Sequence, residues 1–290
     1  MAVLLWTSAE IPTQRLRAWR VPYNRRMHLA KRFFLCPLSA LLLAGPLAAQ
    51  SPLAPTGTLC AAFLGENPSL GRVNAQTGAV TGPVADLVKE LARRLAIPYV
   101  LIPVPNARDV TALLLAHSAD VGFMAYNAGR AADVDFTAPW LLMPNSYLVR
   151  ADSPILKVAD ADRAGVRIIA AKNDTQDVYL SAHLKNTSVT QIPKVPEPEE
   201  VRSLLLDGKT DALAANRQRL FEIAADNPKL RVVADDYFVA GQAIAVPKGD
   251  PTRIDTLNRV LDEILASDLV KASIDRAGLR GVNAATPRGR

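Results

Sequence analysis

From Thr58 onward the chain alternates apolar runs of strand length with amphipathic stretches of helical period. "TLCAAFL" and "IPYVLIPV" read as buried strands. Between them, "GPVADLVKELARRLA" places Val84, Leu87, Val88, Leu91 and Leu95 on one helical face, with Pro83 in the first turn. "DVTALLLAHSA" reads as a helix, "ADVGFM" as a strand, "VDFTAPW" as a short extended piece and "NSYLVR" as a separate strand ending at the turn "ADSP". A second set follows. "AGVRIIAA", "SVTQIP", "TDALAA" and "KLRVVAD" are strands, and "DTQDVYLSAHL", "EPEEVRSLLLDG" and "NRQRLFEIAAD" are helices. "GQAIAVPKGD" then predicts a strand, and "PTRIDTLNRVLDEILAS" a helix capped by Asp250 with Pro251 in its first position. A short helix through "DLVKASIDRAG" and a tail complete the chain. Strands alternating with helices predict an α/β protein with mainly parallel sheets. The pattern runs twice, which predicts two lobes joined by two hinge crossovers, near Ser146–Arg150 and Val239–Ala243.

Composition adds little until charge is located. Hydrophobic content of 49% and charged content of 21% suit a chain with a large core. The net charge of +6 suggests a nucleic-acid partner, but its position argues otherwise. Seven of the 34 Lys and Arg residues and one of the 28 acids lie in 1–50, which leaves 27 of each sign beyond. No electrostatic case for DNA or RNA remains. The leader has its own explanation. "MHLAKRFFLCPLSALLLAGPLAAQ", residues 27–50, has the basic start, short apolar run and small-residue exit of a secretory signal peptide, with cleavage expected after Ala49 or Gln50. Residues 1–26 read as a mis-annotated or disordered extension, with Met27 the expected initiator. Phe33, Phe34 and Leu35 before Cys36 do not make a lipoprotein signal. Cleavage would leave Cys60 alone, without an internal disulfide partner, and its strand setting predicts a small buried core residue.

One residue stands out chemically. "GFMAYNAGRAADVDF" puts Arg130 on a turn between two buried-looking strands. A guanidinium is planar, permanently charged and matched to a carboxylate in bidentate geometry. The end of a strand in an open α/β sheet is where ligands bind. The plain alternative is a surface arginine paired with Asp133 or Asp135.

The order and spacing of "GTLCAAFLGENPSL", "GPVADLVKELARRL", "RAADVDFTAPW", "SYLVRADSP", "TQDVYL", "GKTDALAAN" and "AIAVPKGDP" resemble the bacterial extracellular solute-binding proteins of family 3, over about Gly57 to Gly281. The resemblance implies a periplasmic receptor of an amino-acid-type ABC importer, with the type II periplasmic-binding fold. It implies lobe 1 over 51–147 and 241–281, lobe 2 over 148–240 and a tail over 282–290. It implies a carboxylate-bearing ligand, a permease partner in the inner membrane, a monomer and no cofactor. By the same resemblance, Arg130 binds the ligand carboxylate and Thr175, at the start of a helix, assists it.

Other positions depart from the family. Ala125 and Asn127 stand where hydroxyl-bearing residues are usual. Asn216 stands where an acid usually meets the ligand ammonium. Asn67 and Leu70 replace aromatics; Arg108 lies in a loop that lacks one, and Tyr126 remains a candidate for lining the cleft. Trp140 is expected in the core. Because Asn216 cannot neutralise an ammonium and Arg108 offers a second cation, the pattern predicts an organic acid or unusual amino-acid derivative. His117 and His183 have no partners at metal spacing, and no nucleophile elbow or phosphate loop is present. The enzymatic alternative on the same fold is a periplasmic dehydratase acting on prephenate or arogenate, which needs an acid or base in the cleft.

Overall fold

A computed structural model describes residues 51–289, apart from 194–196; the extension (1–26) and signal peptide (27–50) expected from sequence lie outside these residues. In chain order the first elements are β1 (Leu59–Leu64), β2 (Arg72–Val73), β3 (Val80–Thr81), α1 (Pro83–Leu95), β4 (Tyr99–Val104), α2 (Ala107–Leu115), β5 (Val121–Ala125) and β6 (Val134–Arg150). Then come β7 (Ile168–Ala171), α3 (Thr175–His183), β8 (Val189–Ile192), α4 (Pro198–Leu206), β9 (Ala212–Asn216), α5 (Arg217–Ala224) and β10 (Leu230–Val232). The chain closes with β11 (Phe238–Pro247), α6 (Pro251–Ala266), α7 (Leu269–Arg276) and β12 (Asn283–Ala284).

Local chemistry sets the helix starts. Gly82 caps α1 at φ 105°, a conformation open to glycine, and a Cβ there would stand 3.1 Å from Gly71 Cα. Pro83 follows, where its missing N–H costs nothing, and Val84, Leu87, Val88 and Leu91 turn inward. Asp250 caps α6 by accepting from the Thr252 N–H at 3.0 Å.

The main sheet runs β4-β1-β5-β11-β6-β9-β7-β8, with β10 and β12 also paired to β6. β1 lies parallel to β4 and β5, and β7 parallel to β8 and β9. β6 and β11 are antiparallel to their neighbours and join the two parallel groups. The sequence reading split β6 into two pieces because Pro139 and Pro144 interrupt it. It is one strand of 17 residues. Register shifts against β11, between Gln242 and Ala243 and between Ala243 and Ala245, let the ladder continue past a proline. β6 pairs with β11 as far as Asn145 and with β9 from Asn145 to Leu148, so the outward crossing falls at Asn145, just before the expected Ser146.

The core follows these crossings. One cluster gathers Phe63, Leu87, Leu91, Trp140, Ile244 and Leu261, and a smaller one on the other face holds Val110, Leu114 and Met124. Between Tyr147 and Val233 two further clusters form, around Tyr147, Ile168 and Leu180 and around Leu148, Leu205 and Leu220. Each fully buried aliphatic side chain contributes about 1.5–3 kcal/mol. Trp140 packs edge-on against Phe123, with ring centroids 5.9 Å apart. Cys60 is half-buried rather than fully enclosed, and its N–H donates to the Asp120 carboxylate at 2.8 Å. The segment read as a tail contributes β12, which pairs with Leu141 and Leu142 of β6. Among the described residues no helix is long and apolar enough to cross a membrane.

Candidate functional site

The ends of β1, β5 and β9, the start of α3 and the middle stretches of β6 and β11 converge on one cleft of about 80 Å³. This is the carboxyl edge of the parallel strands, where α/β sheets place ligands. Leu64, Ala107, Ala125, Met143 and Ala240 supply apolar walls. Asn67, Arg130, Asn145, Asp174, Thr175, Gln176, Asn216 and Gln242 supply polar ones. A wider groove of about 470 Å³ lies between α1, α7 and the β2–β3 hairpin, but its acid, Asp86, is already paired with Arg276 and Ser273.

Arg130 reaches the cleft from the turn after β5, and its Nη1 donates to the Ala125 carbonyl at 3.0 Å. That bond fixes the guanidinium at the strand end and leaves other N–H groups for a ligand. Burial pulls its pKa down, and the charge of Asp174 opposes that pull. Asp174 faces it from the start of α3. As a residue it is exposed, and it is one of those that line the cleft. Burial nonetheless raises its pKa; Arg130 offsets part of the rise and Asp177 adds to it. Asp174 occupies the N-cap position of α3 but makes no capping bond with its side chain. The buried Asp177 carboxylate takes that local work, accepting from Asn173 N–H at 2.8 Å, Ser181 Oγ at 3.2 Å and Gln191 Nε2 at 3.0 Å. The Asp174 carboxylate is thus left facing the cleft.

Asn145 is fully buried where the chain crosses. It donates to the Met143 carbonyl at 2.7 Å and accepts from Gln176 Nε2 at 2.6 Å, which ties α3 to the crossing strand. Asn216 lines the cleft and also caps α5, its Oδ1 accepting from Arg219 N–H at 3.0 Å. Asn67 likewise turns its Oδ1 to Ser69 N–H at 3.1 Å.

Four residues expected from sequence, Arg130, Thr175, Asn216 and Asn67, meet here. Three do not. Tyr126 is 53% exposed and packs edge-on against Phe136. The Asn127 Oδ1 accepts from Gly129 and Arg130 N–H and shapes the turn that carries Arg130. Arg108 is exposed on the first turn of α2, outside the cleft lining, because Asn106 starts that helix earlier than expected. The sequence reading missed Asn145, Gln176, Gln242 and the cleft-facing role of Asp174.

Comparison with known proteins points one way. The family model of bacterial extracellular solute-binding proteins, family 3, matches residues 60–276. A glutamine-binding protein of Geobacillus stearothermophilus is 25% identical over 58% of this chain, and the match spans 64% of that relative's length. The ABC transporter glutamine-binding protein GlnH of Bacillus subtilis is 22% identical over 67% of this chain and 71% of its own. Among solved structures, the amino acid ABC transporter substrate-binding protein AbpA of Streptococcus pneumoniae, bound to L-arginine, superposes with a TM-score of 0.63 at 20% identity. That superposition covers 77% of this chain and 94% of AbpA, a likeness of fold.

Proposed function

Because the chain belongs to the bacterial extracellular solute-binding proteins of family 3, we propose that it is a periplasmic receptor that captures a small carboxylate-bearing ligand for an ABC importer. Its lobes are 51–147 with 241–281 and the β12 segment that follows, and 148–240. Ligand bridging the lobes stabilises the closed arrangement through contacts that the open one lacks. It then docks as a monomer on an inner-membrane permease, after export by the signal peptide, and performs no chemistry.

The observation that carries this reading is the placement of Arg130 opposite the start of α3 across a cleft between the two groups of strands. Arg130 holds the carboxylate, and Thr175 with the first amides of α3 borders it. Among the described residues that line the cleft no second cation awaits another carboxylate, since Arg108 lies outside the lining and Asp174 repels it. This favours one carboxylate, on an amino acid, a derivative or a monoacid, over a dicarboxylate. An amine on such a ligand meets Asp174.

A thermal-shift screen of amino acids, keto acids and dicarboxylates tests the reading, with prephenate and arogenate included. The expected result is a raised unfolding temperature with a monocarboxylate, lost in Arg130→Ala. Consumption of prephenate or arogenate would instead make the protein a dehydratase.

A further inference from the structure

Helix α5 packs with the second group of strands through Leu220 and Ile223. Its outer face, however, is gripped by two segments that belong to the first. One is the C-terminal segment, whose Val282 joins the first core. There the Arg280 N–H donates to Gln218 Oε1, and the Arg280 guanidinium lies 4.3 Å over the Phe221 ring. Gly281 presses on α5 so closely that a Cβ would stand 2.6 Å from Arg217 Cβ. The other segment is the β2–β3 hairpin, where Arg72 Nη2 meets Glu222 Oε1 at 2.8 Å.

The two grips are wired together. Gln218 Nε2 donates to the same Glu222 oxygen at 3.0 Å. Gln218 is only 5% exposed, so its end of the relay is sheltered while the Arg72 end is open to solvent, and its bond to a carboxylate is charge-assisted. At the other end of α5, Arg217 donates to the carbonyls of Val233 and Asp235 at 3.2 and 3.1 Å and pairs with Asp236 at 2.5 Å. Those residues lead directly into β11, the return crossing. Just before Arg217, Asn216 lines the cleft. One helix thus carries a cleft wall, the entry to a crossing strand and both grips.

We propose that these contacts form a clasp that holds the halves closed and sets how readily they part; the inference rests on the hinge-closure reading. Any motion that draws α5 away from the first group of strands breaks Arg72–Glu222 and Arg280–Gln218 together. The clasp therefore adds to the closed side whether or not ligand is bound. A ligand that binds only the closed form meets more of it, so the clasp raises affinity without touching the ligand.

The first measurement needs no ligand. Spin labels on the exposed Lys89 and Lys185, one in each half, report the separation of the halves by pulsed electron resonance. In ligand-free protein, Gln218→Ala is expected to lower the closed-to-open ratio on the order of tenfold, and Arg72→Glu, at the solvent-exposed end, by about threefold. Arg72→Lys, which keeps a cation beside Glu222, is expected to hold the ratio near that of the wild type, an outcome that general disturbance at this position does not give. Two populations in the wild type with an unchanged ratio in both variants, at unchanged unfolding temperature, would overturn the clasp and leave hinge closure standing. A single fixed distance in every protein, with or without the amino-acid panel, would overturn both.

Discussion

The two walls of the cleft carry opposite charges and hold them by different means. On one wall Arg130 is anchored to the Ala125 carbonyl by a turn that Asn127 shapes. On the other, Asp174 sits where a capping side chain is expected, yet Asp177 takes the local donors and leaves it facing the cleft. Burial disfavours both charges, and each relieves part of the other's cost. The difference is one of commitment. Arg130 is a built anchor, whereas Asp174 is a held reserve whose value depends on what enters the cleft.

Removing the anchor should have the largest effect. Arg130→Ala is expected to cost on the order of 2–5 kcal/mol in carboxylate binding, because it leaves a desolvated anion unpaired. Arg130→Lys should recover part of this, lacking the bidentate fork. Titration calorimetry measures both, and equal affinity in Arg130→Ala would mean that the ligand carboxylate binds elsewhere. The opposite wall should matter less. Asp174→Asn is expected to weaken an amine-bearing carboxylate by about 1.5–3 kcal/mol, the worth of a charged hydrogen bond. Tighter binding in that variant would show that Asp174 competes with the ligand for Arg130.

The third change tests the wall beside them. Asn216→Ala removes the cap of α5 and should cost about 1 kcal/mol of stability in urea unfolding. Asn216→Asp keeps a capping acceptor and should leave stability nearly unchanged. The smallest effect is on pH dependence. The Asp174 carboxyl is raised above its ordinary value in the folded protein. Ionising it therefore costs folded stability, fully so above its folded value; the cost shrinks as pH falls below that value and is gone below the ordinary carboxylate range. Asp174→Asn is neutral throughout. It should unfold at a higher temperature than wild type near neutral pH, and the gap should close under acid conditions.

Much of this arrangement was legible in the chain. Periodicity located the helices because their buried faces are regular, as with Val84, Leu87, Val88 and Leu91. A lone guanidinium in an apolar setting marked Arg130. Asp174 was less legible, since an Asp before a helix ordinarily caps it and no local pattern shows that the cap goes unmade. Asn145 and Gln242 lie in crossing strands buried on both faces, where alternation gives no signal. The two-residue strands β2 and β3 were too short to register, and the prolines of β6 hid a continuous strand.

The place of β11 in the sheet has a consequence for how the chain acquires its structure. β11 lies between β5 and β6, yet it follows them in sequence by the whole of the second group of strands. Until Phe238–Pro247 arrives, β5 has a bare edge and the first core lacks Ile244 and Val246. The 148–240 segment is contiguous and can form local contacts early, whereas the first half must wait for a distant strand to close it. Such long-range pairing is slow and leaves strand edges open to other chains. The half that carries Arg130 should therefore be the last to mature, and a chain cut before Phe238 should expose the β5 edge and aggregate.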